Sequence, residues 1–252
     1  MIGIFYKKYR RLKLNKFIFD VDGTLTPSRG AIDPSFLRFM LKFCKNNDVY
    51  LATGSDAPKT IEQIGKGLFE AVSRSYNCSG NSVWEKGVNT YNNEWKLPEK
   101  PWKYLESQLL YSTFAPKTGW HFDERPGLLN FSIVGRKANP KQRELYVEWD
   151  TRTRERWRIA SEFNNTFSNE FNVVAQVAGE TGMDIMPIGK GKQQIINDFD
   201  LTNDTIYFFG DKTMPGGNDY DIARAVSDLK NGHVHQVDNW KETQSILKDV
   251  YN

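Results

Sequence analysis

Apolar positions follow two rhythms along this chain. Residues 17–21 and 49–52 are short runs of Phe, Ile, Val, Tyr, Leu and Ala, broken only by Asp20, as expected of strands covered on both faces. Between them Phe36, Phe39, Met40 and Phe43 recur at helical spacing and predict a helix with one buried face. Asp33 followed by Pro34 supplies its N-cap and first helical position. A second helix is expected over 58–68 and a weaker third strand over 71–76. This β-α-β-α-β order is that of a parallel, doubly wound sheet.

The rhythm then breaks. A hairpin around Lys86-Gly87 is expected over 83–91, a helix over 102–114, and strands over 120–122 and 128–134. A helix over 140–149 follows. Trp157, Ala160, Phe163, Phe167 and Phe171 then mark a longer helix, whose stripe reads as a local core, with a homodimer contact as its other use. Strands over 173–177 and 183–186 end this segment. From Pro187 the first rhythm resumes, with a short helix over 192–199, a strong strand over 205–209, a helix over 219–226, a strand over 233–237 and a helix over 240–250. The expected organisation is an α/β core from residues 1–84 and 187–252, with an α+β segment inserted at 85–186.

Composition adds bounds. With 252 residues, 39% hydrophobic and 26% charged, the chain can bury a sizeable core. A net charge of +3 is too mild for a nucleic-acid binder and suits a small anionic substrate. No apolar run is long enough to span a bilayer. Cys44 and Cys78 form neither a disulfide framework nor a metal-ligand spacing, which fits a reducing, cytoplasmic setting. The basic stretch from Tyr6 to Lys13 lacks the apolar region of a signal peptide, so residues 1–15 read as a solvated leader. Arg152, Arg154, Arg156 and Arg158 read as a solvated, ion-paired face, and both cysteines as small buried groups.

The chemistry begins at Asp20-Val21-Asp22-Gly23-Thr24. Residues i and i+2 of a strand point the same way, so both carboxylates leave the strand end together, and Gly23 permits a sharp turn. Such a pair suits one Mg²⁺ and one nucleophile. Thr53, Lys192 and Asp211, the last with Asn218-Asp219 after it, also fall where strands of the resumed sheet should end. Carboxylates, a hydroxyl and a lysine around one Mg²⁺ form a phosphoryl-transfer set. His121, His233 and His235 are too scattered for a metal site, and no serine-histidine-acid set is evident.

These residues resemble the four motifs of the haloacid dehalogenase superfamily, in order. Within it, Asp20 through Arg29 and Phe208 through Asp219 resemble the eukaryotic-type phosphomannomutases. The resemblance implies a Rossmannoid core with a parallel sheet and an inserted α+β cap of the C2b type. It implies that Asp20 attacks phosphorus and that Asp22 serves as acid and base. Asp20, the Asp22 carbonyl and Asp211 would hold Mg²⁺, with Asn218 and Asp219 as further candidates. Thr53 (or Ser55) and Lys192 would bind the transferring phosphoryl group. Arg29, Arg125, Arg136 and Arg143 would hold a second phosphate, and Asp184 the sugar hydroxyls. The implied partner is a small sugar phosphate, and the activator a hexose 1,6-bisphosphate. Two departures stand out: Gly182 replaces a serine of the family, and Ser79-Gly80-Asn81 replaces an Asn-Gly segment. They keep a sugar-phosphate phosphatase open as an alternative. A non-catalytic sugar-phosphate binding module is a further reading, opposed by Asp20, Asp22, Lys192 and Asp211 occurring together.

Overall fold

The computed structural model describes residues 14–28 and 30–251. The leader up to Lys13 and the candidate Arg29 lie outside the described residues. Two sheets organise the molecule. The larger has seven strands in the order β11-β10-β1-β2-β3-β4-β5. Its parallel members are β1 (Asn15–Phe19), β2 (Asp48–Ala52), β3 (Arg74–Asn77), β10 (Thr205–Gly210) and β11 (Gly232–Gln236). Side-chain alternation explains the apolar runs. Phe17 and Phe19 enter one core with Phe36, Met40 and Phe43 of α1 (Pro34–Asn46), while Ile18 enters the core on the other face with Phe208 and Ile222. Asp33 caps α1, its carboxylate accepting from the Ser35 and Phe36 N–H groups. Stacked rings lock the strand order: Phe19 on Phe209 at 4.8 Å, and Phe209 on His235 at 4.5 Å.

The smaller sheet is antiparallel, in the order β6-β7-β9-β8. Its strands are β6 (Phe122–Arg125), β7 (Leu128–Phe131), β8 (Val173–Ala178) and β9 (Gly182–Pro187). Helices α4 (Glu99–Tyr111), α5 (Pro140–Thr153) and α6 (Glu155–Phe171) join its core through Leu105, Tyr146, Ile159 and Phe163. Leu129, Phe131, Met183 and Ile185 face those helices. By alternation, Asn130 and Asp184 face the other way. Register completes a row: Asp123 pairs with Asn130, Asn130 with Asp184, and Asp184 with Gln176.

Several expectations shift. The hairpin β4 (Ser82–Glu85) and β5 (Val88–Asn92) extends the large sheet, so the chain leaves that sheet after Asn92 and not at 84–85. The helix expected over 58–68 is two, α2 (Ala57–Ile64) and α3 (Lys66–Ala71), broken where Gly65 takes φ +79°. The strand expected over 120–122 begins at Phe122, because the two-residue turn Pro126-Gly127 fixes Arg125 opposite Leu128. Lys192–Asp198 is a 3₁₀ turn; α7 (Tyr220–Ser227) and α8 (Trp240–Val250) complete the fold. Trp157 is 39% exposed and leaves the α6 stripe, lying against Gly216. Burial pushes the Cys44 and Cys78 thiols up to about 12. Among the described residues, no helix is long and apolar enough to cross a membrane.

Arg156 is the sharpest correction to the solvated-arginine reading. It is 9% exposed and donates to Asp150 at 2.9 Å and to the Gly179 and Gly182 carbonyls. Removing one partner of a buried pair strands the other. Arg156→Ala should therefore destabilise the protein by about 3 kcal/mol in denaturant unfolding, while exposed Arg152→Ala should change it by less than about 0.5 kcal/mol.

Candidate active site

Strand ends build the first wall. The Asp20 N–H continues the ladder to the Phe209 carbonyl at 2.9 Å, so Asp20 leaves β1 beside the end of β10. Gly23, at φ +86°, turns the chain back, and its N–H reaches the Thr26 carbonyl at 2.9 Å. A Cβ on Gly23 would lie 2.5 Å from an Asp211 carboxylate oxygen, so glycine lets this turn approach the β10 end. Asp20, Asp211 and Asp219 bring one carboxylate oxygen each within 4.8 Å of one another. Lys192 Nζ donates to Asp20 Oδ1 at 2.5 Å and to Asp219 Oδ1 at 2.6 Å. Among the described residues, Asp20 Oδ2 and Asp211 Oδ1 are buried without a hydrogen-bond partner.

Electrostatics follow from that crowding. Burial and the Asp219 and Asp211 charges push the Asp20 carboxyl well above the ordinary range, against the pull of Lys192. Burial raises the Asp211 carboxyl as well. Burial opposes the Lys192 ammonium, yet Asp20 and Asp219 hold it protonated, well above the usual lysine range. Lys212 Nζ lies 3.3 Å from Asp211 Oδ2, so three carboxylates and two ammoniums would carry one net negative charge. Orphaned, hard oxygen donors with that charge fit a divalent cation such as Mg²⁺.

The remaining core-side residues gather nearby. Thr53 follows β2, is 2% exposed, and its Oγ1 accepts from the Ser55 N–H at 3.1 Å. Asp22 stands apart from the carboxylate cluster; Gln63 of α2 donates to its Oδ1 at 2.9 Å. Asn218 lines the cleft, while Asp219 is fully buried beneath it.

The small sheet forms the opposite wall. A cleft of about 370 Å³ is lined by Asp20, Asp22, Thr53 and Asp211 on one side and by Arg125, Arg136 and Asp184 on the other. Arg125 Nη1 donates across the cleft to the Gly54 carbonyl at 2.9 Å. Asn130 Nδ2 donates to Asp184 at 2.6 Å, and Asn130 Oδ1 accepts from Arg136 at 3.2 Å. Burial raises the Asp184 carboxyl, with Arg125 and Asn130 opposing it. Arg143 is held at 3.0 Å by Glu180, which itself lines the cleft.

Sequence reasoning missed Gln63, Asp123, Asn130 and Glu180. Asp123 and Asn130 follow from the hairpin register once Arg125 is set opposite Leu128. Gln63 carried no motif signal, since only the packing of α2 brings it to Asp22. The altered segment proves to be a joint between lobes. Asn81 Nδ2 donates to the Lys190 carbonyl at 2.8 Å, and its Oδ1 accepts from Asn93 at 2.9 Å. Both crossings between the sheets thus meet at one side chain.

Comparison with known proteins bears on the fold and the family. Structural likeness includes a truncated Plasmodium falciparum IMP-nucleotidase (TM-score 0.62, 14% identity, covering 95% of this chain and 71% of that one). It also includes a haloacid dehalogenase-like hydrolase from Bacteroides thetaiotaomicron (TM-score 0.59, 12% identity, covering 94% and 99%). At these identities the likeness shows the fold alone, a haloacid dehalogenase-like Rossmannoid core with a cap. In sequence, the chain is 29% identical to a phosphomannomutase of Schizosaccharomyces pombe, covering 96% of each. It is 32% identical to one of Dendrobium officinale, covering 81% of this chain and 83% of that one. Residues 36–252 match the family profile of eukaryotic phosphomannomutase, and the chain belongs to that family of phosphoryl-transferring enzymes.

Proposed function

We propose that this chain is a Mg²⁺-dependent phosphomannomutase that interconverts mannose 6-phosphate and mannose 1-phosphate and is primed by a hexose 1,6-bisphosphate. The observation that carries this reading is the two-walled cleft. Asp20, with one oxygen pinned by Lys192 and the other unpartnered, shares it with Arg125 and Arg136. A phosphatase needs only the first wall. A sugar carrying two phosphates needs both.

Asp20 attacks phosphorus and forms an aspartyl phosphate. Asp22 protonates the leaving sugar oxygen, then takes the proton of the incoming hydroxyl as the phosphoryl group is returned to the other end. Gln63 holds Asp22 in place by donating to its Oδ1 at 2.9 Å. Thr53 and Lys192 bind the phosphoryl oxygens. Asp20 and Asp211 would hold Mg²⁺ with the Asp22 carbonyl, and Asn218 and Asp219 complete the candidate set. The metal would offset carboxylate repulsion and neutralise charge on the phosphoryl group. Arg125 and Arg136 receive the distal phosphate, with Arg143 behind Glu180 and Arg29 as further cations; Asp184 orients the hydroxyls. The absence of a side chain at Gly182, on the cleft wall, favours the phosphatase as the second reading.

The deciding assay follows mannose 1-phosphate with and without a hexose 1,6-bisphosphate. Isomerisation stimulated by the bisphosphate is expected; free phosphate with no isomer would leave the phosphatase. Asp22→Asn should lower turnover by about 10² to 10⁴, the usual worth of acid–base help, at an unchanged melting temperature. Gln63→Ala should lower kcat by about tenfold with little change in KM, because it disturbs Asp22 and not sugar capture. Mg²⁺ should raise the melting temperature of the wild type but not of Asp211→Asn, since a ligand stabilises only the state that binds it.

A further inference from the structure

The cap-side wall of the cleft carries its own anion. Asp123 Oδ2 accepts from Arg125 Nε at 3.1 Å and Nη2 at 2.7 Å, and lies 3.2 Å from Arg136 Nη2. One carboxylate oxygen thus gathers two guanidinium groups that would otherwise repel. Its placement is a consequence of register: Asp123 lies opposite Asn130 in the row that faces the large sheet. Asp123, Arg125 and Arg136 all line the cleft. Asp123 cancels one of the two guanidinium charges by direct contact, and Asp184 faces the same arginines from β9, so the wall offers an arriving dianion less than the two positive charges of the bare pair.

We propose that Asp123 is the built-in counter-ion of the distal-phosphate clamp. It holds Arg125 and Arg136 together and weakens their grip, so that a sugar bisphosphate can leave the cleft and return reversed. This rests on the reading that these arginines receive the distal phosphate. Guanidinium forks bind phosphate bidentately and strongly. A mutase that must turn its intermediate around needs release as well as capture, and tight ground-state binding works against it. Asp123 competes for the same N–H donors as the phosphate. It also places a like charge beside it. Asp123 is therefore a positioning residue that acts through the two arginines.

Asp123→Asn keeps the shape and an acceptor oxygen but removes the charge. In metal-free buffer the Asp20, Asp211 and Asp219 carboxylates repel a free anion, so inorganic phosphate reports on the arginines. Calorimetry should then show phosphate binding to Asp123→Asn about tenfold tighter than to wild type. Arg136→Gln should weaken phosphate binding, and the gain from Asp123→Asn should vanish in the double variant, as expected of coupled neighbours. With Mg²⁺ and sugar phosphate, Asp123→Asn should lower KM and kcat together, where a structural defect would raise KM or lower kcat alone. Asp123→Glu, which restores the charge, should return phosphate affinity to near wild type. Equal or weaker phosphate binding by Asp123→Asn, with Arg136→Gln weakened, overturns the proposal and leaves the arginine reading standing. Phosphate affinity unaltered by Arg136→Gln removes the arginine reading itself.

Discussion

Three aspartates and one lysine, packed at the ends of two neighbouring strands, set the terms for the rest of this molecule. Their oxygens come within 4.8 Å of one another in a largely buried setting. Like charges this close in a poorly solvated place repel strongly. Lys192 relieves part of the repulsion by taking one oxygen from Asp20 and one from Asp219. What remains is an excess negative charge and two unpartnered carboxylate oxygens, a combination that calls for a divalent cation. The arrangement persists because its foundations are stiff. Phe19 and Phe209 stack directly below, and the Asp20 N–H is bonded to the Phe209 carbonyl. A carboxylate on a loose loop would move away from its neighbours, whereas one on a stacked aromatic ladder cannot.

The second wall rests on register in place of charge. A one-residue slip of β6 against β7 would turn Asp123 and Arg125 towards the helices and bury them among apolar rings. The Pro126-Gly127 turn prevents that slip. Gly127 sits at φ +65°, and a Cβ there would lie 2.6 Å from the Asn81 side chain. The turn is thus seated on the joint where both crossings between the sheets meet. Placement of the distal cations and the relation of the two lobes are one problem, solved at Asn81.

Much of this was legible in the sequence. The parallel core could be read because both sheet faces are covered, which writes strands as unbroken apolar runs such as that of β1. The chemistry at strand ends could be read because Asp20, Thr53 and Asp211 each follow such a run directly. Lys192 was legible only by its place before a short helix. The inserted segment was harder. Its antiparallel sheet alternates, so each strand gives half the apolar signal, and Trp120 drew the predicted start of β6 away from Phe122. The expected boundary at 84–85 cut through the hairpin β4-β5 because antiparallel pairing looks alike wherever it docks. Arg156 resembled its exposed neighbours Arg152, Arg154 and Arg158, since nothing local reveals that Asp150 and two carbonyls wait for it. Gln63 was invisible because its partner Asp22 is distant in sequence, and Asp123, though two residues from Arg125 on one strand, because its turn into the cleft depends on the register with β7.

In the proposed mechanism, the departures at Gly182 and Ser79–Asn81 would bear on whether the aspartyl phosphate is met by sugar or by water. Ser79 reaches the core-side wall, its N–H donating to the Thr53 carbonyl at 2.9 Å. A Cβ at Gly182 would stand 2.8 Å from Asn130 Nδ2, so the present seat of Asn130 depends on that glycine. Asn130 in turn links Arg136 to Asp184. A missing hydroxyl is thus accompanied by a continuous polar row that fixes Arg136 and Asp184, the groups assigned to phosphate and sugar in the proposed mutase, relative to each other. Asn81, for its part, governs how the lobes meet, and Arg125 closes them by donating to the Gly54 carbonyl beside Thr53. In the proposed mutase, excluding water from the phosphoryl group would therefore depend on a contact made by the same arginine assigned to the distal phosphate. Under that proposal a substrate with a second phosphate would engage that arginine and favour closure, whereas a lone phosphate on the core side would not. Under the same proposal the balance between transfer and hydrolysis would lie in this coupling of Arg125 to both lobes, more than in the hydroxyl that Gly182 lacks.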